Sequence, residues 1–262
     1  MRLSAVPNKV ALMFVAGVIC VTTSCRSRSN VETPANNEPS AAEDVAQADQ
    51  LYAQREDLVR VRQGIILLHQ ALIAEPGNYD SLWRVGKFDY YLATHTDNSA
   101  ERDKAFRDGI EAGKTAVKVQ DGKPEGHFWL GANYGGSAQL SMLAGLTAAD
   151  DIRNEMEAVL RLNEGFQDGS AYMVLGLVYL QAPKFAGGDS QKAVEEMEKG
   201  LRFGKTNAFL RLHLAEAYLK VGRTADARQQ LNAIISMTPD QDYLPEYKEA
   251  VAEAHKLLEK TQ

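Results

Sequence analysis

Past residue 45, apolar positions recur every three or four residues and nowhere alternate over strand length, so the pattern predicts helices throughout. One phrase returns along those helices. It reads Leu130-Gly131-x-x-Tyr134, Leu175-Gly176-x-x-Tyr179 and Leu214-Ala215-x-x-Tyr218, with a weaker copy at Val85-Gly86-x-x-x-Tyr90. The small residue falls at 86, 131, 176 and 215, in steps of 45, 45 and 39 residues. A phrase at near-fixed period marks a repeat array. Three copies keep leucine, small residue and tyrosine in one register, which unrelated helices of similar composition would not do. Arrays of this kind present extended binding surfaces.

The cleanest unit spans 208–239. A first helix runs from Ala208 through Leu214, Ala215 and Tyr218, and the Gly222-Arg223-Thr224 turn stops it. A second helix carries Ala227, Leu231 and Ile234, and Pro239, which cannot continue a helix, sets the corner. Small residues at 215 and 227 allow the two helices close approach. This unit resembles the tetratricopeptide repeat, with its period of about 34 residues. The same template lies on Leu51-Tyr52 with Gly64, Leu68, Ala71 and Pro76, and on 175–200 with an insertion over 181–188 before an N-cap at Asp189 or Ser190. The units at 79–119 and 124–164 are stretched. In the latter, residues 135–146 are expected to lie between helices, with Thr147-x-x-Asp150 as a capping box for a helix over 152–162. Residues 243–260 form a final amphipathic helix. The expected fold is all-α: an irregular tetratricopeptide-like solenoid of helical hairpins over 45–262, about five pairs plus a C-terminal capping helix.

The front of the chain differs in kind. Arg2 and Lys9 precede an apolar run over 10–21 that is too short to span a bilayer, so residues 1–24 read as an export signal. The run ends in Thr22-Thr23-Ser24-Cys25, which resembles a bacterial lipobox and makes Cys25 the expected lipidation site. Thr22 stands where leucine is usual, and ordinary cleavage near Ser24 is the alternative. The only other cysteine is Cys20, inside the signal, so the mature chain has no pair for a disulfide. Residues 25–44, rich in Ser, Asn, Pro, Glu and Ala, are expected to be a disordered tether. The expected location is the outer membrane, facing the periplasm.

The full chain carries 29 basic and 35 acidic residues, a net charge of −6. Without Arg2 and Lys9 this becomes 27 against 35, or −8. An acidic surface argues against nucleic acid and anionic lipid as partners. The five histidines stand apart, with no pair at i,i+4 and no cysteine companion, so no metal site is expected. His127 and His213 read as packing or groove residues. Gly131, Gly135 and Gly136 lie on a helix and not between strand and helix, so they form no phosphate loop. No catalytic motif emerges, and neither enzyme activity nor a cofactor is expected.

The first helix of each pair should line the inner side of the array, where positions four apart share a face. That face carries Trp83, Lys87, Tyr90 and Tyr91, then Phe128, then Met173, Leu177 and Leu180, then Leu212. These form the candidate ligand or partner groove. The stripe is apolar, and large exposed apolar patches usually mark binding. The competing reading is that these side chains meet one another as core.

The phrase Gly126-His127-Phe128-Trp129-Leu130-Gly131-Ala132-Asn133-Tyr134-Gly135 is similar to that of the TRAP-transporter-associated T component family, as is the later run through Ala182-Pro183, Gly187-Gly188-Asp189 and Lys192-Ala193. A more distant likeness is to the eukaryotic regulators of microtubule dynamics, which share the irregular repeat spacing. The first resemblance implies a periplasmic lipoprotein that associates with a solute-binding protein. It also implies a homo-oligomer, a trimer with a pore through each subunit for apolar small molecules. The alternative is a general envelope scaffold that assembles other proteins. The anchor is tested directly: Cys25→Ser is expected to move the protein from the membrane fraction to the soluble periplasm, and a variant that stays fully membrane-bound refutes the lipid.

Overall fold

The computed structural model describes residues 39–261, apart from Ser141 and the side chains of 142–147. The expected signal, Cys25 and the tether as far as residue 38 lie outside the described residues. Eleven α-helices follow one another among those described: α1 Ala41–Tyr52, α2 Leu58–Ala74, α3 Tyr79–His95, α4 Ser99–Val119, α5 Pro124–Ala138, α6 Met142–Leu162, α7 Ser170–Gln181, α8 Ser190–Gly200, α9 Ala208–Lys220, α10 Thr224–Ser236 and α11 Leu244–Lys260. They pack as five antiparallel hairpins, α1/α2 to α9/α10, with α11 against α9 and α10. The fold is the expected all-α helical-hairpin solenoid.

Side-chain caps start most of the helices, each answering backbone N–H groups that have no partner inside the helix. Ser40 and Glu43 form a reciprocal capping box at α1. Asp57, Asn78, Asn98, Asp189 and Asn207 cap α2, α3, α4, α8 and α9. The Ser40 box begins α1 at Ala41, inside the stretch expected to be tether. The insertion after α7 holds a short 3-10 turn, Lys184–Ala186, and Asp189 N–H closes it by donating to the Tyr179 carbonyl at 2.9 Å.

The recurring small residues sit at helix contacts. A Cβ added at Gly176 would lie 2.6 Å from Met197 Cγ and 3.0 Å from the Ala193 carbonyl oxygen, both on α8. One added at Gly86 would lie 3.2 Å from Trp129 Cβ on α5. Ala215 is fully buried.

One expectation is corrected. The stretch 135–146 is not a loop: α5 continues through Gly135 and Gly136 to Ala138, and α6 begins at Met142, which leaves Thr147 inside a helix and not at its start. The glycine pair suggested a break. Gly136 instead faces the Phe106 ring of α4, where there is no room for a Cβ, so tertiary packing keeps helical a segment of weak intrinsic propensity.

Gly176→Leu should overpack the α7/α8 contact and cost roughly 1–3 kcal/mol or more. Thermal unfolding followed by circular dichroism checks this; an unchanged melting temperature would refute the contact.

Candidate functional site: a concave cavity

The first helices of successive hairpins turn one face toward a common space. From α3 come Trp83, Lys87, Tyr90 and Tyr91, from α5 Phe128, Trp129 and Ala132, and from α7 Met173, Val174, Leu177 and Val178. The aromatic members brace one another. The Tyr90 and Trp129 rings lie 5.9 Å apart, Phe128 and Trp129 5.1 Å, and Phe128 and Phe166 5.4 Å. Asn133, fully buried, ties α5 to α3 by donating through Nδ2 to the Gly86 carbonyl at 2.8 Å.

The open side of this curve is closed by the chain's own end. The turn 239–243 and the start of α11 come back to the α1–α2 turn. Arg55 there is 5% exposed. Its Nε donates to Glu246 Oε1 at 2.8 Å and its Nη2 to Glu246 Oε2 and the Asp242 carbonyl, each at 2.5 Å. The guanidinium also lies over the Tyr52 ring, 5.0 Å from its centroid. Around this forked pair, Lys248 meets Glu56 at 2.9 Å, His95 Nε2 meets Glu249 at 3.0 Å, and the Tyr243 hydroxyl donates to Gln167 at 3.0 Å. The array is thereby a closed ring around a cavity of about 1210 Å³.

Residues 44–181 match the family model for regulator of microtubule dynamics protein 1-3. That is 138 of the 262 residues, more than half. The chain belongs to the regulator of microtubule dynamics protein 1-3 family. Residues 184–254 match a tetratricopeptide repeat model. Among solved structures, a thermophilic tetratricopeptide protein of Thermus thermophilus, TTC0263, is similar at 22% identity over 81% of this chain and 100% of that one, with a TM-score of 0.58. PilF of Pseudomonas aeruginosa is similar at 16% identity over 84% of this chain and 92% of its own, with a TM-score of 0.53. Both likenesses concern the fold. No curated protein matches.

Within this member of the regulator of microtubule dynamics protein 1-3 family, the cavity has one charged end. Burial lowers the Lys87 ammonium to about 8, with Asp49 pulling it back up and Arg55 and Arg84 pushing it further down. Burial also raises the Tyr52 and Tyr90 phenols, so both stay protonated. His95 stacks on Tyr91 with ring centroids 3.8 Å apart. Burial alone would lower its imidazole, but the Glu249 carboxylate and the Tyr91 carbonyl together raise it. Both ring nitrogens are held, Nδ1 by the Tyr91 carbonyl at 2.8 Å and Nε2 by Glu249, so His95 is placed as a structural tie and not as a free base. Among the described residues, no group of three or more His, Cys, Asp or Glu could hold a metal ion, and no helix is long and apolar enough to cross a membrane.

Seven of the groove candidates face the cavity: Trp83, Lys87, Tyr90, Tyr91, Phe128, Met173 and Leu177. Two do not. Leu212 is 3% exposed and belongs to the core between α8, α9, α10 and α11. Residues two apart on a helix do not share a face, so Leu212 and Leu214 are buried on different sides of α9, and α11 packs against α9 in the core that holds Leu212. Leu180, half-buried, packs on the same C-terminal core at the end of α7. His127 is likewise off the cavity wall: it bridges Glu155 at 2.6 Å and the Asp121 carbonyl at 2.9 Å and so holds the start of α5 to α6. Sequence reasoning missed Tyr52, Arg55, His95, Trp129 and Glu246. Trp129 was visible in the repeat phrase beside Phe128. Arg55 and Glu246 are 191 residues apart and carry no local signal.

Arg55→Met should cost about 1–3 kcal/mol, less than the roughly 3–5 kcal/mol for a sealed ion pair, because Glu246 is 24% exposed. Helix content should stay the same in far-ultraviolet circular dichroism while hydrogen exchange in α11 rises. Unchanged urea denaturation and unchanged exchange would show that the ring does not depend on this pair.

Proposed function

We propose that the protein is a non-catalytic binding component that takes an apolar ligand into its ring-closed cavity. The observation that carries this reading is the closure of α11 onto the α1–α2 turn, which turns an open concave face into a ringed, half-open cavity. That space, about 1210 Å³, exceeds the range of roughly 300–1,000 Å³ common for small-molecule sites. The imidazole at its wall is tied on both nitrogens, His95 between the Tyr91 carbonyl and Glu249, and tetratricopeptide arrays act through the surfaces they present. In this reading the protein hangs from a membrane by a lipid on Cys25, facing the periplasm on the outer membrane. It works there as an adaptor for a transporter of the TRAP type through a solute-binding protein, and as a homo-oligomer.

A second reading, an envelope scaffold that docks other proteins, has one observation in its favour. Phe185, on the insertion after α7, is 85% exposed. Its neighbours Ala182, Pro183 and Ala186 line the cavity, so a partner seated on Phe185 would sit at the cavity's edge.

Leu177→Asp separates an open site from sealed core. Leu177 is half-buried at the cavity wall, where an aspartate can keep water. The variant should lose no more than about 1 kcal/mol of stability and bind the neutral fluorophore N-phenyl-1-naphthylamine about tenfold more weakly. A severe loss of stability would mean that the aspartate is an unpaired buried charge and that this wall is core. Absence of probe binding by the parent protein would overturn the apolar-ligand reading.

A further inference from the structure

The charged end of the cavity is chemically uneven. Lys87 stands one helical turn from Trp83 and from Tyr91, and its Nζ lies 4.2 Å from the centroid of the Tyr52 ring. The two arginines beside it are already engaged. Glu246 clasps Arg55, and Arg84 donates through Nε to Asp49 at 2.9 Å and reaches Asp80 at 3.4 Å. Among the described residues, Lys87 Nζ has no hydrogen-bond or ion-pair partner; its contact there is the ring face. A cation–π contact supplies part of what water or a carboxylate would give. The ammonium's three donors remain available to the cavity.

We infer that the cavity takes a long-chain monocarboxylate, with its carboxylate on Lys87 Nζ and its apolar chain along Tyr90, Phe128, Met173 and Leu177. The inference rests on the reading that the cavity binds apolar ligands, and it adds the head group. The charges at this end balance, with Arg55, Arg84 and Lys87 against Glu246, Asp49 and Asp80. Among the described residues Lys87 is the cation of the three whose ammonium lies within ion-pair distance of none of them, so its donors are the ones left for a single carboxylate. A carboxylate there forms a charge-assisted contact in a partly desolvated setting, where such contacts are strong. A dianionic phosphate would bring a second charge next to Asp49 and Glu246 without a cation to meet it. The chain then has an aromatic wall from α3 to α5 and an aliphatic one on α7, both continuous with the Lys87 end.

Competition against N-phenyl-1-naphthylamine tests this with three ligands of equal chain length: dodecanoate, dodecan-1-ol and monododecyl phosphate. On the parent protein, dodecanoate should displace the probe about tenfold or more better than the alcohol. Lys87→Met keeps the length of the side chain and removes the charge. It should bind the probe and the alcohol as the parent does and lose the preference for the acid. Lys87→Gln is the second variant and should behave alike; both should melt at or above the parent temperature, since a buried cation is removed. Equal binding of acid and alcohol by the parent, or dodecanoate binding unchanged in both variants, overturns the carboxylate assignment. Tighter binding of the phosphate than of dodecanoate overturns the choice of head group. Probe binding without displacement by any of the three overturns the ligand class and leaves the cavity reading standing. Failure of the probe itself brings down both.

Discussion

Each first helix must approach a neighbouring helix closely at one small residue, and the packing of the hairpins depends on that constraint. At Gly131 and Gly176 a side chain would collide with the second helix of the same hairpin, at Gly86 one would press on Trp129 of α5, and Ala215 is packed without exposure. The contacts at 131 and 176 join a first helix to the second helix of its own hairpin, and the one at 86 joins α3 to the next first helix, α5. Five hairpins in succession bring α11 back to the α1–α2 turn. The cavity is therefore made by the repeated hairpins together with the C-terminal turn and α11 that close them.

Closure is made by polar groups and the wall by apolar ones. Arg55 meets Glu246 through two parallel N–H···O contacts, a geometry that fixes direction as well as distance. The exposed pair Lys248–Glu56 adds little on its own. Tyr52 links the two chemistries. Its ring takes Arg55 on the closure side and Lys87 on the cavity side, at 5.0 and 4.2 Å. It also packs on Phe88 with centroids 4.5 Å apart. One phenol thus connects the core, the clasp and the charged end of the cavity.

Helix existence, pairing and most boundaries could be read along the chain because they rest on local rules. The 3.6-residue period, the Asn and Asp caps and the Gly222 turn all act within a few residues. The glycine pair at 135–136 misled for the same reason. Local rules read it as a break, while the Phe106 ring across the interface needed the missing side chain and kept the helix intact. Leu212 shows the same limit. Its place on the first helix of its pair suggested the inner face, and the packing of α11 on α9 puts it in core.

The sequence by itself determined that this is an array of helical hairpins, that its inner face is largely apolar, and that Trp83, Lys87, Tyr90, Phe128, Met173 and Leu177 share that face. Periodicity carries such facts because a helix maps residue number onto direction at a fixed angle of about 100° per residue. Whether that face is open, sealed or enclosed was decided by the tertiary structure. The answer depends on the summed rotation of five hairpins and on a pair 191 residues apart, Arg55 with Glu246. A small error in each step would leave the ends far from each other, and no local pattern records where they meet. The same holds for Lys87. Its place on the face follows from spacing, but its freedom from a partner follows from Arg55 and Arg84 having taken the carboxylates around it.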